Sequence, residues 1–205
     1  MTEQSTLVAL LDAAEARFAS DGIDRASLRA VMRDAGTDPG AIHYHFKGRQ
    51  ALAEAVLDRV LVPLNDRRIE LLESLRAGER SLPRLVEALV RPDVEAAHEL
   101  ERRGAGRARL MGAIYLNPAT FVTARVEERF RPVAARFMPD LVAAAPGVPP
   151  DVLAWRVRWP IFGTLGALLA DPDELHNHVP DELIDRLVDT LAPALGAPTH
   201  PRRTT

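Results

Sequence analysis

The chain has 205 residues, 47% of them apolar and 27% charged, with a net charge of −3 and no cysteine. That composition suits an ordinary globular protein with a proper buried core. It excludes disulfides and thiolate metal sites, and the slightly negative total means that any case for nucleic-acid binding has to be local. The polar, acidic start is followed by no apolar signal core, and the longest apolar run, roughly 161–170, falls well short of the ~20 residues that span a bilayer. Together these predict a cytoplasmic protein with no membrane partner.

Leu and Ala dominate, β-branched runs are scarce, and apolar residues recur at three and four with no sustained alternation, so the chain reads as all-α. The first helix is expected over about 6–20, with Leu7, Leu10, Leu11, Ala14 and Phe18 on one stripe, Ser5 as cap and Gly22 just past its end. A second helix, about 27–35, has Ser27 as N-cap and stops at Gly36. A third, about 39–46, begins at Pro39, where the missing N–H is tolerated, with Asp38 placed to cap it. The fourth runs from about residue 50 to 76 and is bent at Pro63. Further helices are expected near 82–91, 93–103, 105–116, 119–144, 151–170 and 180–195, punctuated by Pro92, Gly104, Pro118, the 146–150 stretch and Pro180. A tail, 197–205, is expected to be disordered.

A two-turn helix, a Gly-containing break and a second short helix make the sequence form of a helix-turn-helix. Ile42 and Phe46 give the second helix a narrow apolar face, leaving Pro39, Gly40, Ala41, His43, Tyr44 and His45 mostly free to approach a DNA groove. Arg25, Arg29, Arg33, Lys47 and Arg49 face only Asp34 and Asp38 between residues 25 and 49, whereas residues 1–62 as a whole carry seven basic and nine acidic groups. The positive charge is confined to the motif, as a phosphate-facing surface requires. Lys47, the chain's one lysine, and Arg49 precede the fourth helix, where a positive charge gains nothing from the helix dipole, so a phosphate explains them better.

The stretch Leu10-Leu11-Asp12-Ala13-Ala14, Phe18, Gly22, Ser27-Leu28-Arg29-Ala30-Val31, Ala35-Gly36 and Gly40-Ala41-Ile42-His43-Tyr44-His45-Phe46-Lys47-Gly48-Arg49-Gln50-Ala51-Leu52 resembles the DNA-binding domain of the TetR family. The family commonly has Tyr where this chain has His43, Ser where it has Asp38 and Lys where it has Arg49. Asp38 brings a negative charge near DNA, and Thr37 is the neighbouring hydroxyl that takes over a phosphate contact. The resemblance implies an N-terminal three-helix helix-turn-helix domain (1–48), joined by a long helix to a larger C-terminal helical domain (49–196) for ligand binding and dimerisation. It implies a repressor that is a two-fold homodimer on a pseudo-palindromic, double-stranded operator, released by a small, mostly apolar effector, with no cofactor, metal or catalysis. The implied DNA-contacting set is Ser27, Arg29, Thr37, Asp38, Pro39, Gly40, Ala41, His43, Tyr44, His45, Lys47 and Arg49.

For the C-terminal part, few aromatics make their clustering informative. Trp155, Trp159 and Phe162 share one face, Met111 and Tyr115 another, and Phe121, Phe130 and Phe137 lie on the long helix. The expected pocket is lined by Met111, Tyr115, Phe121, Trp155, Trp159 and Phe162, with Arg107, Asn117 or Arg125 as polar anchors. The expected dimer seam combines small residues, Gly163, Gly166, Ala167 and Ala170, with Leu183, Leu187 and Leu191 of the last helix.

Two rival readings come from the residues. Glu95 and His98 form an E-x-x-H pair, the spacing of di-iron helical bundles, with Asp173 and His176 as a weak second copy and Glu101, Glu127 and Glu128 as further carboxylates on polar faces. A helical ligand sensor without DNA binding is the other, supported by the negative N-terminal total and Asp38. The sequence offers no Gly-rich phosphate loop and no serine nucleophile motif.

Overall fold

The computed structural model describes residues 3–38, 40–103 and 108–199, and every described element is helical. The expected contacts of Pro39 and Arg107 lie outside the described residues, as do residues 200–205 of the expected tail. Helix α1 (Glu3–Asp21) starts before the anticipated Ser5 cap, so Ser5 lies inside it. Helix α2 (Leu28–Asp34) is capped by the Ser27 hydroxyl, which accepts from the Ala30 N–H at 3.4 Å. At its other end Gly36, at φ 63°, forms a Schellman turn, in which Thr37 N–H bonds Met32 O at 3.0 Å and Gly36 N–H bonds Arg33 O at 3.1 Å.

Helix α3 (Ala41–Phe46) is shorter than expected. Its N-cap is Gly40 and makes no side-chain cap, so the Asp38 carboxylate does not cap it; only the Asp38 carbonyl closes the turn, to Ala41 N–H at 3.0 Å. Helix α4 (Arg49–Ser74) continues through Pro63. Helix α5 (Leu82–Arg103) joins two expected segments, because buried Pro92 sits in a helix wedged among α4, α6 and α11, whose packing outweighs one lost hydrogen bond. Helices α6 (Ala108–Leu116) and α7 (Thr120–Ala144) follow, α7 holding both Pro132 and Pro139. Helices α8 (Pro150–Arg156) and α9 (Phe162–Ala170) are joined by a π-helical stretch over Val157–Ile161 that contains Pro160. A short α10 (Pro172–Asn177), which the periodicity had not suggested, precedes α11 (Pro180–Gly196).

Two main cores result. One joins α1, α2, α3 and the first half of α4, built on Leu10, Phe18, Val31, Ile42, Phe46 and Val56, and it also takes Leu110 and Ile114 from α6 and Val122 from α7. The other fills the space between the second half of α4 and α5, α7, α9 and α11. No helix of the described residues is long and apolar enough to cross a membrane.

The anticipated dimer seam is largely occupied inside the protomer. Leu183, Leu187 and Leu191 are buried where α11 packs along α5. Gly166 and Ala170 meet α6: a Cβ on Gly112 would stand 2.7 Å from the Ala170 nitrogen and 2.9 Å from the Gly166 oxygen, so the two backbones touch. Of the small residues, Ala167 and Ala170 stay exposed, while Gly163 is partly buried and lines the cavity described below.

Candidate functional site

The short α3 is held by Ile42 and Phe46, both buried, while His43 and Tyr44 face outward, Tyr44 with 72% of its surface exposed. Its C-cap, Lys47, takes the left-handed conformation at φ 58°, and Gly48 follows at φ 140°. A lysine there is strained where glycine would be relaxed, so its charge rather than its backbone explains its presence. Ser27, Arg29, Asp38 and Gly40 are exposed around α3, with Thr37, Ala41 and His45 partly so. The Thr37 hydroxyl donates to Met32 O at 3.3 Å, and the Tyr44 hydroxyl reaches Glu3 Oε1 at 3.4 Å.

Arg49 has partners within the protein. Its guanidinium donates to Ala26 O at 2.7 Å and Ile23 O at 3.5 Å, tying α4 to the α1–α2 loop. It supplies carbonyl satisfaction inside the domain, a use that a phosphate-contact reading of the charge had not anticipated.

In the C-terminal part a cavity of about 650 Å³ opens between α7 and the α8–α9 segment, roofed by the end of α6. Tyr115, Asn117, Trp159 and Phe162 line it, as anticipated, together with Phe130, Phe137, Met138 and Leu141. Four expected lining residues are elsewhere. Met111 is buried in the core, Phe121 packs on the N-terminal core, and Trp155 points to solvent with 59% of its surface exposed. Arg125 is no anchor, because it pairs with Asp58 of α4 and Glu128. Arg129 joins it on Asp58 at 2.6 Å, and although burial opposes the charge, the two guanidinium groups hold the Asp58 carboxyl below its usual range.

Behind the cavity wall lies a charged group that the spacing argument passed over. Arg68 of α4 is 1% exposed and pairs with Asp93 of α5, itself fully buried. Arg68 also donates to Leu89 O at 2.8 Å, to Asn65 Oδ1 at 2.6 Å and to the Tyr115 hydroxyl at 3.2 Å; Tyr115 donates in turn to Asp93 Oδ1 at 2.5 Å. The Phe130 and Phe162 rings cover the guanidinium, with centroids 5.8 and 5.5 Å away. Burial, then Asp93, push the Tyr115 phenol above its ordinary value, so it remains a donor. Tyr115 stacks on Phe162 at 5.1 Å, and both residues line the cavity, so its wall is bonded directly to α4, the helix leading to the N-terminal core.

The E-x-x-H pair is spent on structure. His98 places Nδ1 2.9 Å from Val94 O and Nε2 3.0 Å from His178 O, and Glu95 pairs with Arg91. Among the described residues no group of three potential ligands is assembled for a metal ion.

Residues 10–56 match the family model of bacterial regulatory proteins of the tetR family, and residues 87–197 match that of the tetracyclin repressor-like C-terminal domain. No curated protein matches the chain by sequence. Similar solved structures include the fatty acid degradation regulator FadR from Bacillus halodurans (TM-score 0.67, 13% identity, covering 90% of this chain and 97% of that one). FadR from Bacillus subtilis in complex with stearoyl-CoA gives a TM-score of 0.68 at 12% identity, covering 94% and 99%. The SmeT–triclosan complex gives 0.63 at 21% identity, covering 98% and 100%. These likenesses are of fold. The C-terminal family model alone spans more than half of the chain, and with the helix-turn-helix in place the protein belongs to the TetR family of DNA-binding transcriptional regulators with a C-terminal ligand-binding domain.

Proposed function

We propose that the protein is a cytoplasmic, homodimeric repressor that is released from a pseudo-palindromic operator when an apolar ligand fills the cavity between α7 and the α8–α9 segment. The observation that carries this is the physical continuity from the cavity wall, through the Tyr115 hydroxyl, to the buried Arg68 of α4. In the ligand-free dimer the two α3 helices stand about one DNA turn, ~34 Å, apart and enter successive major grooves. His43, Tyr44, Gly40 and Ala41 meet base edges and backbone, and Ser27, Arg29, Thr37, His45 and Lys47 meet phosphates. The exposed Ala167 and Ala170 supply small-residue surface for the second copy. The stearoyl-CoA and triclosan held by two fold neighbours support an apolar ligand for this cavity. Shifting the equilibrium between the two arrangements requires only ~1–3 kcal/mol of coupling.

The test is a fluorescence-anisotropy titration of the purified protein onto the DNA flanking its own gene, at low and physiological salt. A dimer-stoichiometric complex that weakens steeply with salt is expected. Failure to bind any of that DNA at low salt would support the sensor reading instead.

A further inference from the structure

Resting on the reading that this cavity holds the effector, we infer that its ligand is a single long hydrocarbon chain bearing an anionic head, seated with the head at Arg131. The apolar lining of the cavity is long. Along α7 the lining residues fall at Thr123, Val126, Phe130, Ala134, Phe137 and Leu141, an unbroken helix face. At 1.5 Å per residue that face is about 27 Å long. The inner wall is aliphatic and aromatic, with Phe137 and Leu141 fully buried. A lining that is apolar over such a length suits an extended, flexible hydrocarbon chain.

Charge at the mouth fixes the other end. Arg158 is already paired with Glu127 and stacks over the Trp159 ring at 4.9 Å. Arg131 also lines the mouth, is exposed, and has no hydrogen-bond or ion-pair partner among the described residues. The rim therefore holds two guanidinium groups and one carboxylate, an excess of one positive charge beside an apolar trough. A carboxylate or larger anionic group on the chain's end satisfies Arg131 with charge-assisted hydrogen bonds while the chain leaves water. A free fatty acid and an acyl thioester with an anionic carrier share this chemistry.

The experiment uses the full chain carrying Trp155→Phe, so that Trp159 in the cavity wall is the remaining indole. Dodecanoate and palmitate are titrated against the alcohols of equal length, palmitoyl-CoA and triclosan, with fluorescence and calorimetric readouts. The acids are expected to bind about fivefold tighter than the alcohols, the scale of one exposed ion pair. Arg131→Gln should erase that preference without weakening the alcohols, and Ala134→Phe should abolish binding of every chain while leaving the melting curve folded. Tighter binding of palmitoyl-CoA than of palmitate would identify the thioester as the source, and the reverse the free acid. Equal affinity of acid and alcohol, or an Arg131→Gln variant that keeps the preference, would overturn the head assignment. Triclosan binding with no chain bound would overturn the chain assignment and leave the effector site standing. Silence from all probes, with Ala134→Phe indistinguishable from its parent, would overturn the cavity reading itself.

Discussion

Arg68 and Asp93 set the residue scale, because burying two charges is costly unless every lone pair and proton is met. Here Arg68 meets Leu89 O, Asn65, Asp93 and Tyr115, and no described buried side-chain polar atom is left without a partner. Removing one partner strands the other: Asp93→Ala should destabilise the protein by about 3–5 kcal/mol. The double replacement Arg68→Met, Asp93→Leu should recover most of that loss, since no stranded charge remains. Urea denaturation of the two variants measures both, and a double variant as unstable as Asp93→Ala would show that the site does not work as a pair. Half of this was legible beforehand. Leu61, Leu64, Arg68 and Leu72 share one stripe of α4, so Arg68 stands where an apolar residue is due, as does Asp93 beside Val90, Val94 and Ala97 on α5. Their pairing was not legible, because it joins two helices whose mutual register is set only by packing.

Elements whose ends rest on local chemistry read well from the sequence. Gly22, Gly36 and the Ser27 cap bound α1 and α2 by backbone geometry that needs no distant partner. Elements that depend on their neighbours read less well: α5 crosses Pro92, and α8 and α9 are bridged by a π turn around Pro160. The leucine stripe on α11 was legible as a buried face, but periodicity says only that a face is covered, and α5 of the same protomer covers it. In the DNA-facing motif, the α3 C-cap offers a clean separation of backbone from charge. Lys47→Gly relaxes a left-handed residue and should hold or raise stability by up to about 1 kcal/mol. The same change removes a phosphate contact, so operator affinity should fall and the slope of log affinity against log salt should shrink by about one. Anisotropy titrations at three salt concentrations measure it, and an unchanged slope would leave Lys47 without a part in DNA binding.

For the whole molecule, the decisive arrangement is that the two cores share α6. Leu110 and Ile114 complete the N-terminal core, Ile114 and Tyr115 also line the cavity, and Gly112 on the same helix lies backbone to backbone with Gly166 and Ala170. Two packed connections therefore run from the cavity wall to the N-terminal helices, through Arg68 on α4 and through the position of α6 on α9. Tight cores move by discrete repacking rather than by smooth deformation, so a single methyl group at the α6–α9 contact should act at a distance. In Gly112→Ala the new Cβ would meet backbone atoms that have no flexible end to swing aside. The helices must separate by a few tenths of an ångström or more, at about 1–3 kcal/mol, carrying Ile114 with them. Operator affinity should then fall although residue 112 lies outside the DNA-facing motif, and the loss should persist well below the variant's melting temperature, where essentially all of it is folded. DNA titrations at two such temperatures, beside a calorimetric melt, separate the two effects. A destabilised Gly112→Ala protein that binds operator like its parent at both temperatures would mean that α6 only holds the cores together, and would leave Arg68 and α4 to carry the coupling alone.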